Sequence, residues 1–322
     1  MKLEQIGFYT LSDERAKNTN ATSPMMRCEM ILTEKCNFSC PYCRGHEHGT
    51  MSLEDAKKGL SLWIKDGLQN VRFSGGEPTL YKGLNELVAM AKEGGVKRIA
   101  ISTNGSRPFH IYEKLVEDGA NDFSISLDAC CATFGDKMAG DKTGVWNKVV
   151  ENIEKLSKLT YVTVGVVLNE TNFNDTIDIT KFAHTLGVSD IRLISAAQYN
   201  KLIEGTDAIP QEIIDAHPIL KYRVERLKEG KNVRGISETD CNKCHLIKDD
   251  SIIAGNKHFP CVIHMREGGK AIGDVNENMR AERINWFETH NVYEDEICRN
   301  NCLDVCVFYN NRAEEYDVKK NN

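Results

Sequence analysis

Short apolar runs alternate with helix-period stretches between residues 27 and 199. The runs are Cys28-Glu29-Met30-Ile31-Leu32, Asn70-Val71-Arg72-Phe73, Arg98-Ile99-Ala100-Ile101, Phe123-Ser124-Ile125-Ser126-Leu127, residues 162–168, and Ile191-Arg192-Leu193-Ile194. All are short and several are rich in β-branched residues, as in strands buried on both faces. Helices are expected between them. One opens at Leu53 after Ser52, an N-cap residue type. A second spans 83–92 and stops at Gly94-Gly95. A third spans 145–159, with Val145, Val149, Val150, Ile153 and Leu156 on one stripe. A fourth spans 175–186 and stops at Gly187. Repeated β-then-α units predict a parallel sheet with right-handed crossovers. The fold class is therefore α/β: a partial (β/α)6 barrel, with its ligand site at the C-terminal ends of the strands.

Beyond the sixth run the pattern changes. A polar helix is expected over 210–229, followed after about residue 235 by short elements, Gly-rich turns and six cysteines. The expected organisation is an N-terminal extension (1–26), the barrel (27–209), a connecting helix (210–234) and a small metal-stapled C-terminal domain (235–322).

Composition narrows the classes. The 322 residues carry 41 Lys and Arg against 47 Asp and Glu, a net charge of −6. That disfavours nucleic acid and anionic membrane as partners. No apolar run reaches membrane-spanning length. Met1-Lys2-Leu3-Glu4-Gln5 has no apolar signal segment, so a cytoplasmic, reducing location is expected. There, closely spaced cysteines read as metal ligands or catalytic thiols rather than disulfides.

Nine of the 12 cysteines fall into two groups about 200 residues apart. The first is Cys36-Asn37-Phe38-Ser39-Cys40-Pro41-Tyr42-Cys43, directly after the first strand. Three thiolates on one loop can hold three irons of a [4Fe–4S] cube and leave the fourth iron open. A zinc site completed by His46 or His48 is the alternative. Ser74-Gly75-Gly76-Glu77-Pro78 ends the second strand, Ser102-Thr103-Asn104-Gly105 the third, and Ser126-Leu127-Asp128-Ala129 the fourth. Glycines permit close backbone approach to a ligand, and a carboxylate can pair with an ammonium group.

Over residues 27–200 these motifs, in this order, resemble the radical S-adenosylmethionine (SAM) superfamily. The resemblance implies that Cys36, Cys40 and Cys43 hold a SAM-binding [4Fe–4S] cluster, with Tyr42 near the adenine. It implies SAM contacts from Gly75, Gly76 and Glu77 to the methionine amino group. Ser102, Asn104, Ser126 and Asp128 would serve the ribose and carboxylate.

The second group is Cys241-Asn242-Lys243-Cys244, then Cys261, then Cys298, Cys302 and Cys306. It resembles the auxiliary-cluster extensions called SPASM or Twitch domains, with a CxxC-then-Cys pattern like the molybdenum-cofactor biosynthesis protein A branch. The expected ligands of at least one auxiliary [4Fe–4S] cluster are Cys241, Cys244 and Cys261, completed from Cys298, Cys302 and Cys306. On one regular helix the outer two of those last three would lie roughly 12 Å apart, so one cube could take all three only if the helix breaks there. A zinc knuckle is the alternative; His245, His258 and His264 read as surface or core residues. Cys28 reads as a small buried hydrophobe, and Cys130-Cys131 as structural.

The resemblance implies an enzyme that cleaves SAM reductively to a 5′-deoxyadenosyl radical and abstracts a hydrogen atom from a substrate. It also implies a reducing partner such as flavodoxin or ferredoxin. A peptide or protein side chain is the expected substrate, although 35 residues before Cys36 leave little room for a leader-binding domain. A small molecule (sugar, nucleoside or amino acid) is the alternative. A non-catalytic iron–sulfur carrier or zinc-stapled scaffold is the alternative of another class. The chain departs from the molybdenum-cofactor enzyme itself: it lacks the Gly-Gly tail, and Glu29 and Thr163 stand where that enzyme carries a substrate-binding Arg and Lys.

Overall fold

The computed structural model describes residues 9–45, 47–201 and 203–321; residues 1–5 and His46, both weighed above, lie outside them. The chain divides into two compact units. One comprises Leu32–Thr50 and Arg72–Asn232; the other comprises Met1–Ile31, Met51–Val71 and Val233–Asn322.

The first unit is the barrel. Its strands are the end of β1 (Arg27–Thr33), then β2 (Asn70–Gly75), β3 (Arg98–Thr103), β4 (Asp122–Ser126), β5 (Tyr161–Leu168) and β6 (Asp190–Ser195). They lie in the order β6-β5-β4-β3-β2-β1, and the sheet does not close. The β3–β4, β4–β5 and β5–β6 pairs are all parallel. Buried residues such as Phe73, Ile101, Phe123, Ile125, Val164, Val166 and Leu193 form the core between sheet and helices.

The helices Leu84–Glu93, Val145–Ser157 and Thr176–Thr185 sit where the periodicity puts them. Two more, Phe109–Asp118 and Ala132–Met138, fill the crossovers after β3 and β4. The apolar stripe does not betray them, because the first buries only Tyr112 and Leu115 and the second only Met138. Asn152 is the polar member of the buried face of Val145–Ser157. Its Nδ2 donates to the carbonyls of Gly105 (2.7 Å) and Arg107 (2.8 Å) and so anchors the turn after β3.

The single helix expected over 210–229 is two, Gln211–Ala216 and Pro218–Lys228. Pro218 explains the break. A residue before proline is pushed out of the helical region, and His217 lies at φ −123°, ψ 96°. Proline then starts the second helix, where its missing N–H costs nothing.

In the second unit the start of β1 pairs in parallel with β7 (Asp250–Ala254), from Arg27 opposite Asp250 to Ile31 opposite Ala254. β8 (Lys257–Phe259) and β9 (Gly273–Asp274) continue antiparallel. Helix Leu53–Lys65, capped by Ser52, packs here: a Cβ on Gly59 would lie 2.9 Å from the side chain of Ile253. Among the described residues no helix is long and apolar enough to cross a membrane.

Candidate active site

The cysteine loop leaves β1 and is pinned by the end of β2. The N–H of Gly76 donates to the Thr33 carbonyl (2.6 Å) and that of Glu77 to the Lys35 carbonyl (2.8 Å). Gly75 has φ +139°, and a Cβ there would strike the Thr33 carbonyl; one on Gly76 would meet the Glu34 carbonyl at 2.6 Å. Only glycine lets these two segments run against each other.

Glu77 is wholly buried. Its Oε1 accepts from the Thr79 N–H (3.0 Å), the Thr79 hydroxyl (2.6 Å) and the Thr103 hydroxyl (2.7 Å). Its Oε2 accepts from the Asn104 N–H (2.7 Å). Burial pushes its pKa up, against those four donors. This carboxylate thus ties the end of β2 to the end of β3.

Asn104 faces the cysteine loop. Its Nδ2 donates to Asn37 Oδ1 (2.9 Å) and lies 3.8 Å from Cys36 Sγ. Cys36 Sγ also accepts from the Phe38 N–H at 3.4 Å. Burial and the neighbouring carboxylate Asp128, then the thiols Cys43 and Cys36, push Cys40 up to about 12. Such crowding of thiols disfavours the proton-free form unless a cation shares it.

Tyr42 donates its hydroxyl to Asp128 Oδ2, and the Val167 N–H donates to Oδ1 at 2.7 Å. Burial raises Asp128 to about 6. Ser102 accepts from Arg72 Nη1 at 3.3 Å, on the strands below. Ser126 is exposed at the end of β4. The structure thus gathers the cysteine loop, Glu77, Asn104 and Asp128 at one end of the sheet.

Sequence reasoning missed four supports of that site. Asn37 bridges Asn104 and the Ser106 hydroxyl. Gln198 donates to the Tyr42 carbonyl (2.9 Å). Asn172, fully buried, donates to the Asp128 and Val167 carbonyls (3.2 and 3.0 Å). Gly140 sits against Ser39, whose N–H donates to the Ala139 carbonyl (3.0 Å). Only Asn172 leaves a trace in sequence, as one of the clustered turn-forming residues after β5.

The sequence profile described as Radical SAM superfamily matches residues 30–183. Over those residues the barrel is similar to the radical SAM superfamily. Curated relatives agree. A probable GTP 3′,8-cyclase of Sulfolobus acidocaldarius is 30% identical over 51% of this chain and 54% of its own. The GTP 3′,8-cyclase of Nautilia profundicola is 27% identical over 65% of this chain and 68% of its own. The chain thus spans about half the length of the first of these relatives.

Solved structures share the fold. That of anSMEcpe with bound AdoMet and Cp18Cys peptide has a TM-score of 0.60 at 14% identity, covering 92% of this chain and 98% of that one. Streptococcus suis SuiB bound to precursor peptide SuiA has a TM-score of 0.57 at 13% identity, covering 87% and 68%. For the radical SAM superfamily a [4Fe–4S] cluster and SAM are the implied cofactors. The site fits them. Three thiols share one loop, amide donors face Cys36, and the glycine approach holds the loop against the end of β2.

The second unit gathers another thiol group. Cys244 precedes a 3-10 turn, His245–Lys248, and Cys261 caps helix Val262–Arg266, its Sγ accepting from the His264 N–H at 3.3 Å. Cys298 lies on helix Glu296–Asn301, Cys302 ends it in an extended conformation, and Cys306 lies on helix Asp304–Asn321. The break falls at Cys302, so the three are not strung along one axis. Cys302 and Cys306 share a hydrogen bond, which, with burial, drives Cys302 far up. Burial and then Cys244 and Cys261 drive Cys298 up. Burial holds Cys261 at about 12, with Cys306 adding to it.

Burial and Glu314 raise Cys241 to about 11. Its Sγ faces Glu314 Oε2 at 3.8 Å and accepts from the Lys243 N–H at 3.2 Å. Cys28 is buried in β1 as expected, Cys130 is half-buried and Cys131 is exposed.

Arg283 underlies the group. It is fully buried, yet its hydrogen bonds all end on backbone carbonyls: Ile247 (3.0 Å), Phe259 (2.9 Å), Pro260 (3.3 Å) and Asp250. These belong to the segments after Cys244 and around Cys261. His258 and His264 pair with Glu282 (2.8 Å) and Asp295 (3.0 Å).

Proposed function

We propose that the chain cleaves SAM reductively and abstracts a hydrogen atom from a peptide or protein side chain. The observation that carries the SAM chemistry is the convergence of the Cys36–Cys40–Cys43 loop with Glu77, Asn104 and Asp128. When bound, the cluster and SAM together supply one electron and a 5′-deoxyadenosyl radical that takes hydrogen from the substrate. The protein's residues do the holding. Cys36, Cys40 and Cys43 hold three irons. Tyr42, Gly75, Gly76, Glu77, Ser102, Asn104, Ser126 and Asp128 seat SAM. Buried strands exclude water that would quench a radical.

Residues 235–322 serve as an auxiliary-cluster domain in this reading, with Cys241, Cys244 and Cys261 as ligands, completed from Cys298, Cys302 and Cys306. Flavodoxin or ferredoxin is the reductant, and the cytoplasm the location.

Two features support a peptide substrate. The fold is shared over most of the chain with structures that carry bound peptides, and residues suited to a nucleotide triphosphate are replaced. Glu29 is buried and paired with Arg27 rather than offering a cation, and Thr163 is a buried neutral side chain. The second reading, a nucleotide or other small molecule, draws on the names of the GTP 3′,8-cyclase relatives.

Anaerobically reconstituted protein with dithionite and SAM should release 5′-deoxyadenosine, and Cys40→Ala should release none while keeping its fold. Fully loaded protein that yields none overturns the enzyme reading. A crosslinked or modified precursor peptide supports the first substrate, whereas turnover of GTP supports the second. Iron analysis giving about eight irons per chain supports one auxiliary cluster, and about four overturns it.

A further inference from the structure

Three side chains beside Cys36 close a ring of hydrogen bonds. Ser106 donates its N–H (3.0 Å) and its hydroxyl (2.7 Å) to Asn104 Oδ1. Asn37 Nδ2 donates to the Ser106 hydroxyl at 2.8 Å, and Asn104 Nδ2 donates back to Asn37 Oδ1 at 2.9 Å. Asn104 Nδ2 also lies 3.8 Å from Cys36 Sγ. We propose that Asn37 and Ser106 are positioning residues that hold an Asn104 amide N–H on the Cys36 sulfur, where it raises the reduction potential of the SAM-binding cluster. The role rests on the reading of Cys36, Cys40 and Cys43 as ligands of that cluster.

The ring settles which end of each amide faces which partner. A backbone N–H can only donate, so the Asn104 atom that takes the Ser106 N–H is the oxygen. The Asn104 nitrogen is thereby turned to Asn37 and Cys36. An amide nitrogen carries two hydrogens. One serves Asn37 Oδ1, and the other faces Cys36 Sγ. Asn37 is set in turn. Its oxygen accepts, so its nitrogen donates to Ser106, whose one hydroxyl proton goes to Asn104 Oδ1. Without Asn37, the Asn104 nitrogen loses the acceptor that pins it.

The backbone beneath the ring is held as well. Glu77 takes the Asn104 N–H, and Asn152 binds the Gly105 and Arg107 carbonyls on either side of Ser106. Ser106 is buried, which shields its hydroxyl from competing water. The Phe38 N–H gives the same sulfur a second donor at 3.4 Å. Reduction adds negative charge to a cluster and its thiolates, so donors at sulfur favour the reduced form.

Reduction is followed by electron paramagnetic resonance on the full-length, anaerobically reconstituted protein without SAM, reading the signal that Cys40→Ala lacks. At a fixed potential, Asn104→Ala should lower the ratio of reduced to oxidised cluster about ten-fold, or about 59 mV for one electron. Asn37→Ala and Ser106→Ala should each lower it about three-fold, with iron unchanged. Adding Asn37→Ala to Asn104→Ala should change nothing more, because Asn37 acts through that amide. A residue that merely braces the loop would add its own effect in the double variant or shed iron. Unchanged ratios in Asn37→Ala and Ser106→Ala overturn the proposal, and so does an additive double variant. Iron lost from both single variants overturns it too, since the ring is then a structural brace. If Asn37→Ala alone sheds iron, Ser106→Ala, which leaves the cysteine loop's own sequence intact, decides the outcome. Wild-type protein that loads iron yet yields no 5′-deoxyadenosine defeats the cluster reading itself, whereas unshifted ratios in active variants defeat the positioning role alone.

Discussion

The hydroxyl of Tyr42, between the second and third cysteines of the first loop, donates to Asp128 Oδ2 at the end of β4. The cysteine loop is thereby tied to the far side of the barrel through a carboxylate that also receives the Val167 N–H. Asp128 needs both donors because burial raises it to about 6. Tyr42→Phe keeps the ring and removes the donor. It should weaken SAM binding by about ten-fold, the worth of one charge-assisted hydrogen bond. Calorimetric titration with SAM checks this, with circular dichroism confirming an intact fold. Unchanged affinity would detach the tyrosine hydroxyl from the site.

Gly76 offers a sharper steric test. A Cβ at this position meets the Glu34 and Lys35 carbonyls, which are backbone atoms that cannot rotate away. Gly76→Ala must therefore push the cysteine loop off the end of β2 and stretch the hydrogen bonds that hold Gly76 and Glu77 to it. The expected result is about 2 kcal/mol of lost stability, in the range of overpacking, together with incomplete loading of the first cluster. Thermal melting and iron analysis measure the two effects. Gly95, whose Cβ would meet nothing within 4 Å, has φ +78°, so Gly95→Ala serves as a control for backbone strain without collision.

The barrel was largely legible because buried parallel strands must be continuous apolar runs: β5 and β6 match theirs to within one residue at each end. The cysteine loop and its companion motifs were legible because spacing alone carries that chemistry. The supports from Asn37, Gln198 and Gly140 were not, since each acts through a partner distant in sequence. The break at Cys302 was conditional in the sequence, where nothing marks a helix end between Cys298 and Cys306. It becomes visible through the Asp295 side chain, whose Oδ1 caps the short helix at the Cys298 N–H (3.0 Å), and through the N–H of Asp304, which donates to the Val233 carbonyl (3.0 Å).

Arg283 should be the most sensitive residue of the second unit outside the cysteines. Its guanidinium serves four backbone carbonyls around Cys244 and Cys261. Arg283→Met fills similar volume but leaves those acceptors buried without donors. A loss of about 3 kcal/mol or more is expected, with reduced iron in the second thiol group. Arg283→Lys should recover little, because an ammonium lacks the planar fork. Denaturant melts and iron counts on both variants check the order. A Met variant as stable as wild type would mean the carbonyls find other donors.

Asp190 sets a pH dependence whose sign can be worked out. It lies fully buried at the start of β6, and its carboxylate accepts from the Ile219 N–H (3.0 and 3.1 Å), the Leu220 N–H (3.4 Å) and the Ile191 N–H (2.9 Å). Tyr161 adds its hydroxyl at 3.1 Å. Burial nevertheless outweighs these donors and raises the group from 3.8 to about 6. The native state therefore binds more protons than the unfolded chain between about pH 4 and pH 6. Stability must fall as pH rises through that window, by on the order of 2–3 kcal/mol from this group. Asp128 adds to the fall with the same sign. Asp190→Asn retains an acceptor for the first turn of helix Pro218–Lys228 and removes the titration. The variant's unfolding free energy should change less than the wild type's between pH 4 and pH 6, with the two curves closest at low pH, where the wild-type carboxyl is neutral like the amide, and separating as pH rises. Urea unfolding across this range measures the slopes, and parallel curves would show that Asp190 titrates normally in the folded protein.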